Sequence, residues 1–315
     1  MTRPSIEQRL LYFLTKDLRG PQPSRLNIHL LTAWRDSTLN SYNSAEKWMV
    51  NFLCSKNRWH GLPLQPRDLW DFCLKVGHTM DGVDTISLAA NTLRQYLFGV
   101  RAWLVFHGET YPQEATERVN LIIRACARDD AVFPPAHLKK AVHVCHLLFL
   151  SEALKNGTAE DKAIMDCALI AFWGMARLKE LTYTTPMGMP RCADSVLCSD
   201  VIVRSRYAKL TVRAATTGGT VSQTIKLVRN NSLLCPIKAI LRRLANAPSE
   251  NASLFGYNGR FGRVNITRPM MASRIQQLLN DGGFVGLTGH SFRVGGALLQ
   301  HALGVPVEQI KKLGR

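Results

Sequence analysis

The residues with the most chemically suggestive spacing lie near the end of the chain. They read Thr288-Gly289-His290-Ser291-Phe292-Arg293-Val294-Gly295-Gly296-Ala297, followed by Leu298-Leu299-Gln300-His301-Ala302-Leu303-Gly304. The apolar run has helical spacing and stops at a glycine, so His290 and Arg293 stand at the mouth of a helix. Three residues apart, they share a face. The first turn of a helix leaves backbone N–H groups without partners and carries partial positive charge. A titratable imidazole and a permanent guanidinium added there make a small anion site suited to a phosphate. Gly295 and Gly296 let another backbone pass close to the helix. Taken alone, His290 and Arg293 also fit an ordinary structural pair, and only the surrounding chain can decide.

A second candidate is Phe172-Trp173-Gly174-Met175-Ala176-Arg177-Leu178-Lys179-Glu180-Leu181. A buried helix ends, Gly174 allows a turn, and a new helix begins at Arg177. Glu180 lies one turn on and is placed to pin the guanidinium. A surface Arg paired with Glu180 in cis is the competing reading.

The elements that must position these residues are mostly helical. Residues 1–33 read as an irregular N-terminal arm with one short helix, Ile6 to Leu14, and a loop holding Pro21 and Pro23. Residues 34–130 read as a helical bundle. Asp36-Ser37-Thr38 opens its first long helix, Pro66-Arg67-Asp68 the second, and Asp84-Thr85 to Ser87 the third, which runs to about His107. A shorter helix spans Thr116 to Ala127. Ala131 to Ala136 is a Pro-containing linker. Residues 131–315 form the second unit, with helices from Leu138 to Leu154 and from Asp161 to Trp173. Three short β-rich runs follow: Asp200 to Val203, Lys209 to Arg213 and Ser222 to Leu227. They form a small antiparallel meander. From Cys235-Pro236 the pattern is helical to the end. The expected fold class is therefore mainly α with a small antiparallel β-meander.

Composition narrows the partners. The chain has 315 residues, 46% of them hydrophobic, enough for one large or two ordinary domains. A formal net charge of +17 points to a polyanion, most simply nucleic acid. A membrane surface is the rival partner. However, no apolar run is long enough to span a bilayer, and the first residues hold no signal-peptide core. Eight cysteines are spread through apolar contexts without a Cys-x-x-Cys pair. That pattern suits reduced, buried thiols of an intracellular protein and gives no metal site.

The order of features resembles the tyrosine recombinase and phage integrase family: helical bundle, linker, Arg-x-x-Glu-Leu turn, β-meander, Cys235-Pro236-Ile237-Lys238-Ala239-Ile240-Leu241 helix, Gly-His-Ser-Phe-Arg box. The resemblance runs from about Trp34 onward and is nearest to members encoded by eukaryotic, especially fungal, mobile elements. It is most specific at the His290 to Arg293 box with Leu303-Gly304-Val305-Pro306 and Lys311-Lys312-Leu313-Gly314. It implies that the bundle and a catalytic-like domain close around double-stranded DNA, with homo-oligomer assembly on it and a nuclear location. Arg177 and Arg293 match the family's two arginines, which clamp the scissile phosphate. Paired guanidinium forks suit the charge that grows in a pentavalent transition state. His290 matches the histidine that handles the proton of the attacking phenol. The family's tyrosine forms a 3′-phosphotyrosyl link, which keeps the bond energy, so no metal or other cofactor is expected. On this resemblance Arg177, His290 and Arg293 should converge in space.

Two departures bear on activity. No tyrosine follows Tyr257, whereas the family nucleophile lies beyond the Leu313-Gly314 motif. The hairpin position that holds the family's proton-donating lysine reads Ala215 here, within Arg213-Ala214-Ala215-Thr216-Thr217-Gly218-Gly219. Lys209 and Lys226 flank that hairpin, as stand-ins or as solvent-facing strand lysines. The chain by itself is thus expected to be C-terminally truncated and inactive. The alternative is a non-catalytic DNA-binding protein derived from such a recombinase. An all-helical adaptor for an acidic protein partner is the remaining reading. Candidate backbone contacts are Arg204, Arg206, Lys209, Arg213, Lys238, Arg242 and Arg243, with Arg94 and Arg101 seven residues apart on one helical face. A solvated basic face is the plain alternative for all of them.

Overall fold

A computed structural model describes residues 6–77, 88–132, 140–190, 195–213 and 222–314. The helix start at Asp84 to Ser87, linker residues 133–136, Cys192 and the hairpin turn containing Ala215 lie outside the described residues. The chain divides into two compact units, Met1–Ala136 and His137–Arg315. Each has its own apolar core. The architecture is mainly helical with small antiparallel sheets.

The first unit contains α1 (Ile6–Arg9), α2 (Leu11–Leu14), α3 (Arg25–Leu31), α4 (Asp36–Ser55), α5 (Pro66–Val76), α6 (Ala90–Phe106) and α7 (Thr116–Val132). The N-terminal stretch differs from the expected irregular arm. Leu10, Phe13 and Leu14 are at most 2% exposed and belong to the core of this unit. The Phe13 ring stacks against Tyr42 and meets Trp34 edge-on, so the aromatic payload of α2 docks on the start of α4. Ser24 caps α3 by accepting from the Asn27 N–H at 3.1 Å. Pro66 sits at the first position of α5, where its missing N–H costs nothing. α4 packs along α6. Gly99 permits this approach, because a Cβ there would lie 3.0 Å from that of Ala45 and 3.2 Å from Glu46 Oε1.

The second unit is built on α9 (Ala159–Trp173), which follows α8 (Val144–Leu154). α9 buries residues on every face, as expected for a helix apolar all round. Thr158 caps it through the Asp161 N–H. α8 begins later than the sequence pattern suggests, because residue 142 is held elsewhere: the Val142 N–H donates to Ser291 O at 3.0 Å. After α9 come α10 (Leu178–Leu181) and the strands β1 (Val201–Val203), β2 (Tyr207–Val212) and β3 (Gln223–Val228). These pair antiparallel in the order β1-β2-β3. Ala208, Leu210, Val212, Ile225 and Leu227 face inward. Lys209 and Lys226, direct cross-strand partners, are exposed on the outer face.

α11 (Pro236–Ala245) packs on α9, as does a hairpin of β4 (Gly256–Gly259) and β5 (Gly262–Asn265). The sequence pattern missed this hairpin and read the region as helical. Its Asn258-Gly259-Arg260-Phe261-Gly262 turn was the available signal, with Gly262 at φ +116°. α12 (Arg268–Asp281), α13 (Gly289–Ala302) and α14 (Val307–Gly314) complete the unit. Gly295 and Gly296 fix how α13 docks: a Cβ on Gly295 would lie 1.8 Å from Val142 O, and one on Gly296 2.0 Å from Phe172 O. Thus the two glycines of the His-x-x-Arg box set it against the end of α9.

Candidate nucleic-acid site

The turn between α9 and α10 is the centre of the site. Gly174 ends α9, Met175 takes a left-handed backbone with φ 46°, and Arg177 caps α10. A Cβ on Gly174 would lie 2.6 Å from Ile225, so the three-stranded sheet presses directly on this turn. Glu180 is buried and does two jobs. One carboxylate oxygen accepts from the Arg177 backbone N–H at 2.9 Å, and the other accepts from Arg177 Nη1 at 2.8 Å. The expected pinning of Arg177 by Glu180 is therefore present, and it leaves the Arg177 side chain 26% exposed.

α13 approaches from the other side. The Thr288 N–H donates to Ser291 Oγ at 2.9 Å, which shapes the first turn. Gly289 abuts the side chain of Leu178, so α13 and α10 meet at their N-terminal ends. His290 is exposed and lines a cavity of about 320 Å³ together with Arg177, Lys179, Arg268, Thr288 and Gly289. Arg293, half-buried one turn further along, donates from Nη1 to Met175 O at 2.7 Å and from Nη2 to Gly314 O. Arg293 thus holds the strained residue two before Arg177, while His290 and Arg177 share a cavity wall. Arg177 and His290 thus line one cavity, and Arg293 is bonded to the turn that precedes Arg177. Sequence reasoning missed Lys179 and Arg268. The only signal for Arg268 was the Thr267-Arg268-Pro269 helix start.

The remaining predicted contacts separate into several groups. Arg204, Arg206 and Lys209 are exposed around the three-stranded sheet, and the Lys209 and Lys226 ammonium groups both sit within 6.0 Å of the Tyr207 ring. Arg213 pairs with the buried Asp200, and Arg242 pairs with the buried Asp166 while keeping 47% of its side chain exposed. Arg243 needs correction. It is 3% exposed, pairs with Asp166 at 2.7 Å and donates to Gly256 O, so it ties α11 to α9 and β4 and does not face a backbone phosphate. Lys238 is exposed on α11. In the first unit, Arg94 and Arg101 are exposed on α6. Arg101 lies over the Tyr111 ring and lines a groove between α4 and α6 with Ser37, Ser41, Tyr42, Phe98 and Val105.

The tyrosines are mostly engaged. Tyr183 is buried, with its hydroxyl donating to Val196 O, and burial pushes its phenol far up. Tyr257 donates to Glu160 at 3.0 Å. No tyrosine lines the Arg177–His290 cavity among the described residues. Among the described residues, no group of three or more His, Cys, Asp or Glu is placed to hold a metal. No helix among the described residues is long and apolar enough to cross a membrane. Of the described cysteines, Cys54 and Cys145 are exposed free thiols and the others are buried ones.

No protein-family model matches the chain, and no curated protein matches it in sequence. Solved structures do match in fold. A lambda integrase dimer bound to a COC′ core site superposes with a TM-score of 0.55 at 12% identity, covering 92% of this chain and 93% of that one. The Tn1549 transposon integrase in complex with circular intermediate DNA gives a TM-score of 0.51 at 14% identity, covering 92% and 90%. The chain therefore shares the fold of tyrosine recombinases and integrases over most of its length.

Proposed function

We propose that the protein binds duplex DNA and serves DNA recombination or integration of the tyrosine recombinase type, as a nuclear relative of eukaryotic mobile-element recombinases. One observation carries this reading. Arg177 and His290, from distant segments, wall one cationic cavity, and Arg293 is bonded to the turn that carries Arg177. Arg177, His290 and Arg293 are the residues proposed to serve a strand phosphate. Arg177 supplies a guanidinium fork, His290 a hydrogen bond and a proton carrier, and Arg293 the geometry that presents Arg177. Arg94, Arg101, Arg204, Arg206, Lys209, Arg213 and Arg242 are proposed as backbone contacts that position the duplex. The fold neighbours were captured on DNA, one of them as a dimer, and homo-oligomer assembly on DNA is proposed here too.

Binding should weaken steeply as salt rises, because each lysine or arginine that meets a phosphate releases counterions. The measurement is duplex affinity across a salt series. Retention that does not depend on salt, or none at low salt, would favour an adaptor for an acidic protein. The 315-residue chain should form no covalent adduct on a nicked suicide duplex, since among the described residues its cavity presents two guanidiniums, an ammonium and an imidazole but no phenol. No adduct would favour the second reading, a DNA-binding protein without strand cleavage. A trapped phosphotyrosyl adduct would overturn it. Cleavage regained only with an added C-terminal segment that carries a tyrosine would favour the recombinase.

A further inference from the structure

The cavity carries more positive charge than one phosphodiester neutralises. Its basic residues are Arg177, Lys179 and Arg268, and its other lining residues, Leu178, Ala272, Thr288, Gly289 and His290, include no carboxylate. The Glu180 carboxylate already balances Arg177. Lys179 and Arg268 are exposed, and among the described residues neither side chain makes a hydrogen bond or an ion pair. Elsewhere in this unit Arg242, Arg243 and Arg274 each meet a carboxylate. Two uncompensated charges therefore face one cavity, where a single diester phosphate cancels only one.

The two residues are held in register with each other. The Tyr183 N–H, just after α10, donates to Ile266 O at 3.0 Å, just before α12. Thr267 caps α12 through the Met270 N–H, which fixes Arg268 as the first residue of that helix, with Pro269 next. Ala272, one turn on, keeps the wall short and the cavity open. The N-terminal ends of α12 and α13 both border this space and turn the positive ends of their backbone dipoles toward it.

We propose that Lys179 and Arg268 hold a second phosphate of the same DNA strand, next to the one assigned to Arg177 and His290. The proposal rests on the DNA reading above. It makes the site a cradle for two consecutive phosphates, and it makes Arg268 a backbone contact and not a base reader.

Two measurements on the full chain test it. Inorganic pyrophosphate should raise the melting temperature more than orthophosphate at equal concentration, because it brings more negative charge to Lys179 and Arg268 together and stabilises the folded state that binds it. K179A and R268A should cut the pyrophosphate response to the orthophosphate level, and R268K should restore part of it, keeping charge but not the fork. On duplex DNA, each of the alanine variants should lower the slope of log affinity against log salt by about 0.9, equally on unrelated sequences. Unchanged pyrophosphate responses in K179A and R268A would overturn the proposal, as would a loss in R268A confined to particular base sequences. If the wild-type chain fails to bind duplex at low salt, the DNA reading falls by itself, and the pyrophosphate comparison alone decides whether the cavity is a two-anion cradle.

Discussion

At the scale of single residues, the site depends on groups outside the cavity lining as well as on those in it. Arg293 holds the Met175 carbonyl while Met175 sits in a left-handed conformation at φ 46°. R293A should destabilise the second unit by about 1–3 kcal/mol, because two buried carbonyls lose a charged donor, and it should weaken DNA binding through the released turn. Urea titration alongside the binding assay separates the two effects. Asp166 is the reverse case, a residue of pure architecture. Its side chain is 2% exposed between Arg242 and Arg243, and D166A would leave Arg243 charged and buried. The expected cost is about 3–5 kcal/mol. Gly295 has the least freedom, since any Cβ meets Val142 O at 1.8 Å. G295A should cost at least about 3 kcal/mol, the upper end for overpacking, and should lower expression of folded protein.

At the scale of elements, the α4–α6 contact and the three-stranded sheet each carry a marked feature. Glu46 is fully buried between the two helices, and neither carboxylate oxygen has a hydrogen-bond partner. Burial holds its carboxyl well above the ordinary range, outweighing a small backbone effect that lowers it. The native state therefore binds a proton that the unfolded chain releases near its ordinary value of about 4.3. The linkage sign follows: stability from this group is complete below that value and declines as pH rises, by up to about 1.4 kcal/mol per unit, until the native value is passed. E46Q should remove this decline, and the difference between wild-type and E46Q stabilities across pH 4 to 8 measures it. In the sheet, Lys209 lies directly opposite Lys226, a like-charge pair that costs a few tenths of a kcal/mol. K226A should thus raise the melting temperature slightly, which a thermal melt of the variant beside the wild type checks.

At the scale of the whole molecule, two units with separate cores should unfold as two cooperative transitions when expressed apart as residues 1–136 and 137–315. Circular dichroism melts of each piece check this, and the Glu46 effect should appear only in the first. The sequence by itself determined most of the long helices, because their start signals and apolar periods are local: Asp36 and Pro66 open α4 and α5, and the Gly174 turn leads to Arg177 and Glu180. The strands of the three-stranded sheet were also legible, since alternation of buried and exposed residues has a period of two, whereas the short β4–β5 hairpin was not. What the sequence left open depended on contacts far along the chain. The N-terminal stretch read as an arm because a four-residue helix has no stability of its own, and only docking of Phe13 on Tyr42 and Trp34 makes it core. Arg243 read as a surface cation because nothing near it in sequence reveals Asp166, which lies on another helix. His290 and Arg177 were each legible as candidates. That they share a cavity with Arg268 and Lys179 follows only once Gly295 and Gly296 seat α13 on the end of α9, a packing that no local pattern encodes.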